Sequence, residues 1–263
     1  EATRVRRSFE NVYLLPFPKR PADVSVELLD NRGAVVASLH HRVDPSDILI
    51  RRTDSLPAAS HRYITRGGTP DDCIDVAIVA EGYTETEMEA FYADARAATE
   101  AIFAHEPFKS LKGRFNVVAV ATPSAESGVS RPKQGSWRRT AFGSHFDTFY
   151  SDRYLTTLRL RTLHDALAGI PYEHIIILAN TDQYGGGGIY NSYVLSSTRH
   201  MQFLPVVVHE FGHSFAALAD EYAYDDEYSP MYPDGIEPWE QNITTLTRFD
   251  AKWADLVPAG TPV

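Results

Sequence analysis

The order of apolar segments between residues 73 and 222 constrains the fold of this chain most strongly. Four short runs are typical of buried strands, namely "CIDVAIVAEGY", "FNVVAVAT", "EHIIILA" and, after the turn "NTDQYGGGG", "IYNSYVLS". The segments "TETEMEAFYADARAATEAIF" and "YLTTLRLRTLHDALAG" lie between these strands and have the periodicity of amphipathic helices. A third helix follows in "PVVVHEFGHSFAALADEY". This alternation predicts an α/β (α+β) domain with a mixed sheet.

The first of these helices has the clearest boundaries. Thr84 and Glu87 have the spacing of a capping box, which predicts that the helix begins there. Its buried face is expected to contain Met88, Phe91, Tyr92, Ala95, Ala98 and Ile102.

Residues 1 to about 65 follow a different pattern. The runs "ADVSVELLD" and "AVVASLHHRV" alternate apolar and polar residues on either side of the turn "NRG". Proline and glycine in "SLPAASHRYITRGGTPDD" indicate a boundary near residue 70. We therefore predict a small β-rich, sandwich-like module at residues 1–70, followed by a second domain at residues 71–263.

Composition excludes several classes of partner. The chain has 263 residues, 35 acidic and 25 basic, and its net charge of −10 argues against nucleic acid or an anionic membrane as the main partner. Cys73 is the single cysteine, so an intrachain disulfide and a cysteine-rich zinc site are excluded. The apolar runs are much shorter than the roughly 20 residues of a membrane span. The apolar, proline-bearing end "ADLVPAGTPV" favours a chain that continues further.

The segment "HEFGH" places a glutamate between two histidines. Positions four apart lie on one face of a helix, so His209 and His213 can direct ring nitrogens to one point and supply half of a tetrahedral zinc site. Glu210 lies beside that point and can accept a proton from a water molecule whose pKa the zinc lowers. The apolar neighbours predict a buried helix, and they are Val206, Val207, Val208, Phe211 and Phe215. The alternative is a chance pattern on a surface helix, with the three polar residues on a solvated face.

A catalytic zinc ion needs a third protein ligand, and Asp220 is the first candidate. In an unbroken helix its backbone would lie about 10 Å along the axis from that of His213, so Asp220 can bind the metal only if the helix ends around residues 215–218. Alternatively, Asp220 orients one of the histidines through a hydrogen bond. A glutamate from a later helix could replace it, and the candidates are Glu221, Glu227, Glu237 and Glu240.

Three long segments of the chain resemble a known family. They are "VVVHEFGHSFAALADEY", "SGVSRPKQGSWRRTAFGSHFDTFYSDRYLTT" and "IILANTDQYGGGGIYNSY", and "EPWEQNIT" follows them. Over residues 74–253 the chain resembles the bacterial IgA peptidase family of zinc metalloendopeptidases, metallopeptidase family sixty-four. Ala217 stands where that family often has a glycine. The resemblance implies a zincin-like catalytic domain after an N-terminal β-module, one zinc ion per chain, a protein or peptide substrate, and a secreted or cell-surface location in bacteria. It does not imply that the substrate is IgA.

The glycine-rich segment "QYGGGGIYNSY" precedes the HEFGH helix. Glycine lets another backbone approach closely, so we expect the strand from Ile189 to Val194 to be a sheet edge that holds an extended peptide. The predicted substrate-binding residues are Gly187, Gly188, Ile189 and Tyr190. A flexible turn is the alternative.

Two further groups could support the site. His145 and Asp147, in the loop of residues 123–152, could line the cleft or orient a catalytic group, or they could be ordinary turn residues. After the HEFGH helix, a tyrosine hydroxyl could donate to an oxyanion and Met231 could lie under the metal, although packing is the alternative for both. The supporting residues considered in this region are Glu221, Tyr222, Tyr224, Tyr228, Met231 and Tyr232.

The leading functional hypothesis is a zinc endopeptidase in which Glu210 is the general base and then the proton donor. The main alternative is an inactive zincin-like protein that binds a host glycoprotein or glycan. A zinc hydrolase of other amides is a third hypothesis. A serine hydrolase is disfavoured, because no GxSxG segment occurs. The sequence does not indicate the oligomeric state.

Overall fold

The computed structural model describes residues 12–261, except residues 14, 16–17, 31, 54–55, 223–231 and 234. It contains two compact units, of which the first includes Arg52–Ala216 and the second consists of Leu15–Arg51 and Ala217–Val263. Tyr224, Glu227, Tyr228 and Met231 lie outside the described residues.

The first unit is built on a six-stranded mixed sheet. Its strands are β3 (His61–Arg66), β4 (Ile74–Glu81), β5 (Phe115–Val120), β6 (His174–Ala179), β7 (Gly186–Ile189) and β8 (Tyr193–Ser197). Their order is β3-β5-β4-β6-β8-β7, with the four central strands parallel and the two outer strands antiparallel to their neighbours. The central strands are almost entirely buried, which is why they form continuous apolar runs.

Helices and a long loop cover the two faces of this sheet. The helices are α1 (Met88–Ile102), α2 (Phe108–Leu111), α3 (Leu160–Ala166) and α4 (Phe203–Ala216). Phe91 of α1 and Val207 of α4 belong to the core cluster on one face, whereas Phe146 of the long loop and Leu163 of α3 belong to the cluster on the other. The predicted α/β fold with a mixed sheet is confirmed.

The predicted capping box and the predicted buried face of α1 are also confirmed, although the box begins a short 3₁₀ turn, Glu85–Glu87, that leads into α1 at Met88. Glu87 accepts a hydrogen bond from the Thr84 amide at 2.7 Å and completes the capping box. All six apolar positions predicted for the inner face of α1 are buried.

The second predicted helix is wrong at its start. It begins at Leu160 instead of Tyr154. The residues before it are extended, because Tyr154 forms a parallel bridge with Gly186 and Thr156 forms an antiparallel bridge with His145. These long-range contacts replace the helical hydrogen bonds that the local sequence favours.

The predicted bounds of the strand after the glycine run are wrong as well. The glycines themselves form β7, a turn covers residues 190–192, and β8 begins at Tyr193. The predicted strand from Ile189 to Val194 therefore spans a hairpin between two strands, and its turn contains Tyr190.

The long loop of residues 123–157 is attached to the sheet by a buried carboxylate. Glu81, at the carboxyl end of β4, is fully buried. It accepts hydrogen bonds from the Thr140 hydroxyl at 2.6 Å, the Phe142 amide at 2.8 Å and the Ser144 amide at 2.7 Å. A buried charge is tolerated only when it is satisfied in this way, so Glu81 links the loop's conformation to the central strand.

The second unit contains an antiparallel hairpin of β1 (Ala22–Leu29) and β2 (Val35–Val43). Asp30 closes its turn by accepting hydrogen bonds from the Arg32 and Ala34 amides. The boundary near residue 70 stays a prediction, although β3, which precedes it, pairs with β5 in the large sheet. None of the helices in the described ranges is long and apolar enough to cross a membrane.

Glu81→Ala should lower the free energy of unfolding by about 3–5 kcal/mol, because three buried donors lose their acceptor. Urea denaturation would measure the change. The matched control is Glu89→Ala, which removes a mostly exposed carboxylate that pairs with Arg62 and should have a much smaller effect. Equal losses in the two variants would contradict the role of Glu81.

Candidate active site

Helix α4 has one buried face and one accessible face. Its buried residues, Phe203, Val207, Phe211 and Ser214, form a stripe with helical spacing. His209 is exposed, and Glu210 and His213 are half-buried. The prediction of a buried helix is therefore wrong for His209, because the apolar residues around the motif lie mainly on the other side of the helix. Exposure alone fits the chance-pattern alternative, and only the geometry of these three side chains distinguishes a metal site from it.

The polar face of α4 has the geometry of a metal site. The Nε2 atoms of His209 and His213 are 3.0 Å apart, and their rings are nearly perpendicular, at 87°. One ligand atom from each of these histidines and from Glu210 lies within 4.8 Å of the other two. Two nitrogens on a tetrahedral zinc ion are about 3.3 Å apart if each bond is about 2.0 Å. The two imidazoles therefore fit a zinc ion, with a carboxylate beside it.

The edge strand β7 lies directly on this face because glycine has no β-carbon. A Cβ at Gly186 would be 2.9 Å from Glu210 Oε1. At Gly188 it would be 2.3 Å from the Glu210 carbonyl oxygen and 2.9 Å from His213 Cβ. A Cβ at Gly187 would meet the Leu155 carbonyl oxygen at 3.3 Å, which is a tight contact that small shifts can relieve. The glycines form a strand in close contact with α4, and not the flexible turn of the alternative interpretation.

The outer side of β7 offers main-chain groups. The Ser197 amide donates to the Gly185 carbonyl, and the alternation of an antiparallel ladder then turns the peptide groups of Gly186 and Gly188 away from β8. Tyr154 bridges Gly186 on that outer side. Gly187, Gly188 and Ile189 thus lie in the edge strand, whereas Tyr190 lies in the following turn. Their role in substrate binding stays a prediction.

The turn after β7 is attached to α4. The Asn191 amide donates a hydrogen bond to the Ser214 carbonyl at 3.2 Å. Ser214 follows His213 in the last turn of the helix, where carbonyl groups have no partner within the helix. The end of the edge strand that follows Ile189 is therefore attached to α4 by a hydrogen bond.

Helix α4 ends where the proposed third ligand requires. Its last residue is Ala216, and Ala217 has a left-handed φ of 55°. This is the conformation that usually favours glycine after a helix, and alanine adopts it here. Asp220 lies four residues beyond the helix end, exposed, in a segment without regular structure.

A single side chain holds the backbone around Asp220. Asn242 accepts a hydrogen bond from the Ala219 amide at 2.8 Å and donates to the Ala219 carbonyl at 2.9 Å. It also donates to Glu221 Oε1 at 2.7 Å. Residues 219 and 221 are thus fixed by the same amide group. Asn242 was not among the predicted site residues, although it belongs to the segment "EPWEQNIT".

The remaining candidates from the second unit have structural partners. Glu237 pairs with Lys252 at 3.0 Å, and Glu240 accepts a hydrogen bond from the Tyr232 hydroxyl at 2.6 Å. Burial, together with that bond to Glu240, raises the pKa of Tyr232 to about 12. Tyr222 is exposed.

His145 and Asp147 make the contacts that turn residues make. His145 Nδ1 lies 2.7 Å from the Phe146 carbonyl oxygen. Asp147 has a left-handed φ of 66° and accepts a hydrogen bond from the Lys133 amide at 2.8 Å. Both residues order the long loop.

A family model described as IgA Peptidase M64 matches residues 63–263, slightly more than the predicted 74–253. No curated protein matches the chain. The matched region contains the HEFGH helix, the glycine edge strand and Asn242. Membership indicates a peptidase that acts on proteins or peptides and uses a metal cofactor. The chain belongs to the IgA Peptidase M64 family of metallopeptidases.

Proposed function

We propose that the chain is a zinc-dependent endopeptidase with a zincin-like catalytic domain. His209, His213 and Asp220 bind one zinc ion per chain, and Glu210 transfers protons. The observation that supports this most strongly is the convergence of the two imidazoles and the Glu210 carboxylate within 4.8 Å. Two imidazole nitrogens with the carboxylate of Asp220 are a donor set that suits zinc, and Glu210 lies beside the two imidazoles.

The chemistry follows from where Glu210 lies. When bound, zinc would polarise the scissile carbonyl and lower the pKa of the attacking water. The Glu210 carboxylate takes the proton from that water and returns it to the departing amide nitrogen. Because Glu210 also lies against Gly186, proton transfer takes place beside the edge where the peptide binds. Water attacks directly, so the reaction needs no nucleophilic side chain.

The proposal that Asp220 is the third ligand is supported by two local features. The helix ends at Ala216, which removes the distance objection for an unbroken helix. The hydrogen bonds of Asn242 fix the residues on both sides of Asp220. Anchoring the Ala219 backbone and the Glu221 side chain limits the conformations open to the residue between them, which reduces the entropy that metal binding must overcome.

The substrate is proposed to bind as an additional strand on β7. The outward peptide group of Gly188 can exchange main-chain hydrogen bonds with an extended peptide. Gly188 carries no side chain that would obstruct the approaching chain, whereas the outer side of Gly186 is already bridged by Tyr154. A strand added at this position lies beside Glu210 and His213.

The main alternative is an inactive protein that binds a host glycoprotein or glycan. An inert descendant would not need to keep Glu210 beside two converging imidazoles, so the geometry favours the enzyme. Hydrolysis of amides other than peptides stays a third hypothesis. A secreted or cell-surface location is proposed from the family resemblance alone.

Glu210→Gln should keep about one zinc ion per chain but lower the rate of peptide hydrolysis by about 10²–10⁴-fold, because the proton acceptor is lost. Metal analysis of protein purified without chelator or nickel, together with a peptide cleavage assay, would measure both. His213→Ala is the comparison variant and should lose the metal. If Glu210→Gln cleaves like the wild type, the mechanism is refuted. If the wild type binds no zinc after zinc is added back, the binding-protein hypothesis is favoured.

Gly188→Ala should separate β7 from α4 and lower kcat/KM by at least about 10-fold, with a loss of about 1–3 kcal/mol in unfolding free energy from overpacking. Gly187→Ala should have a smaller effect because its Cβ contact is longer. Gly113→Ala is the matched control, since a Cβ at that position meets nothing within 4 Å. Gly188→Ala with wild-type activity would contradict the substrate-edge proposal.

Asn242→Ala should weaken zinc binding by about 10–100-fold, as loss of a group that orients a ligand typically does. Zinc affinity would be measured by competition with a chromophoric chelator, alongside Asp220→Ala. The matched control is Gln241→Ala, an exposed neighbouring amide that donates to the Trp239 carbonyl. Unchanged affinity in Asp220→Ala would mean that Asp220 is not a ligand.

A further inference from the structure

The segment from Asp147 to Tyr154 has an unusual backbone. Asp147, Phe149 and Tyr150 have φ values of 66°, 54° and 62°. Left-handed conformations are rare for bulky residues, and they persist only where surrounding contacts determine the backbone. Turns commonly place glycine, asparagine or aspartate at left-handed positions, whereas here two of these positions are occupied by Phe149 and Tyr150.

Polar contacts hold this segment in place. The Lys133 amide donates to Asp147 Oδ2, and the Lys133 ammonium donates to the Tyr150 carbonyl, each at 2.8 Å. Further along, the Gln183 side chain donates to the Asp152 carbonyl at 2.8 Å. The segment is therefore fixed both to an earlier part of the long loop, at Lys133, and to the residues that lead into β7, at Gln183.

The fixed backbone displays aromatic rings to solvent. Phe149 is 83% exposed and Tyr150 is 86% exposed. The Phe149 ring meets the edge of the Tyr154 ring, with centroids 6.0 Å apart. A strained backbone that exposes large apolar rings contributes nothing to the core, and this combination indicates a binding surface.

The position of Tyr154 connects these rings to the edge strand. Tyr154 forms a parallel bridge with Gly186 on the outer side of β7. The carbonyl oxygen of the next residue, Leu155, would lie 3.3 Å from a Cβ at Gly187. A peptide that pairs with the outward side of Gly188 therefore meets Tyr154 as it runs toward the Gly186 end of the strand.

We propose that Phe149 and Tyr154 form an aromatic subsite that binds one bulky apolar side chain of the peptide substrate. This proposal rests on the proposed function, because it places the side chain in the part of the substrate that passes the Gly186 end of β7. The occupant is apolar because the Phe149 ring has no polar atom, and the two charged side chains that hold its segment, Lys133 and Asp147, are paired with each other. Phe149 and Tyr154 are thus specificity-determining residues.

The first experiment measures cleavage of a proteome-derived peptide library by mass spectrometry. We expect the wild type to prefer leucine, phenylalanine or another bulky apolar residue at one fixed position on one side of the scissile bond. Phe149→Ala should lower kcat/KM for such peptides by about 10-fold, mainly by raising KM. It should leave kcat/KM unchanged for peptides that have alanine at that position. Phe149→Leu should keep the preference. Trp137→Ala is the matched control, since Trp137 is an exposed aromatic residue on the same loop and should behave like the wild type.

A binding measurement separates this proposal from the proposed function. Fluorescence anisotropy would compare an apolar peptide with its alanine counterpart on zinc-loaded Glu210→Gln protein, with and without Phe149→Ala. The subsite is supported if the apolar peptide binds more tightly than its alanine counterpart and Phe149→Ala abolishes this difference. That result would hold even if the wild type cleaves nothing and the peptidase proposal fails. A preference that Phe149→Ala leaves intact, in cleavage or in binding, overturns the subsite, as does equal binding of both peptides to the parent protein.

Discussion

The close approach of β7 to α4 is the contact on which the candidate site depends. It exists because Gly186 and Gly188 present only hydrogen atoms to the Glu210 carboxylate, the Glu210 backbone and His213. The opposite face of the helix is packed into the core through Val207 and Phe211, so α4 cannot move away to admit a side chain without losing buried area. The helix is held between the core and a strand that has no side chains at the contact.

This arrangement would place two requirements of the proposed peptide hydrolysis in one location. The face of α4 with the two histidines would supply the metal-binding nitrogens and the proton-transfer carboxylate. The strand that touches that face would supply main-chain groups for an extended peptide. The long loop approaches the same strand from the outside through Tyr154 and Leu155, and its path is set by the buried Glu81 carboxylate on β4. The geometry at the edge strand β7 therefore depends on the hydrogen bonds of Glu81 on β4, which is three positions away from β7 in the sheet order.

The sequence predicts some of these features and not others, for physical reasons. The buried strands and α1 follow from periodicity and capping, and His209, Glu210 and His213 follow from helical spacing. The glycine strand was predicted as a turn because local propensity treats glycine as a breaker, whereas a tertiary contact determines its role here. The exposure of His209 was missed because apolar neighbours in sequence do not show which face of a helix is packed. Asn242 was missed because its hydrogen-bond partner Ala219 lies 23 residues away.

A substrate edge made of glycine has a consequence for specificity. Main-chain hydrogen bonds hold any extended peptide, because every residue except proline offers the same amide and carbonyl groups. In the edge strand Gly186–Ile189, Ile189 alone carries a side chain, so β7 itself distinguishes poorly between substrates. Selectivity must then come from side chains that flank the edge, and these lie on loops that vary more readily than the strand and helix. Family membership therefore indicates the class of reaction more firmly than the substrate, and the proposed subsite of Phe149 and Tyr154 would encode this chain's own preference.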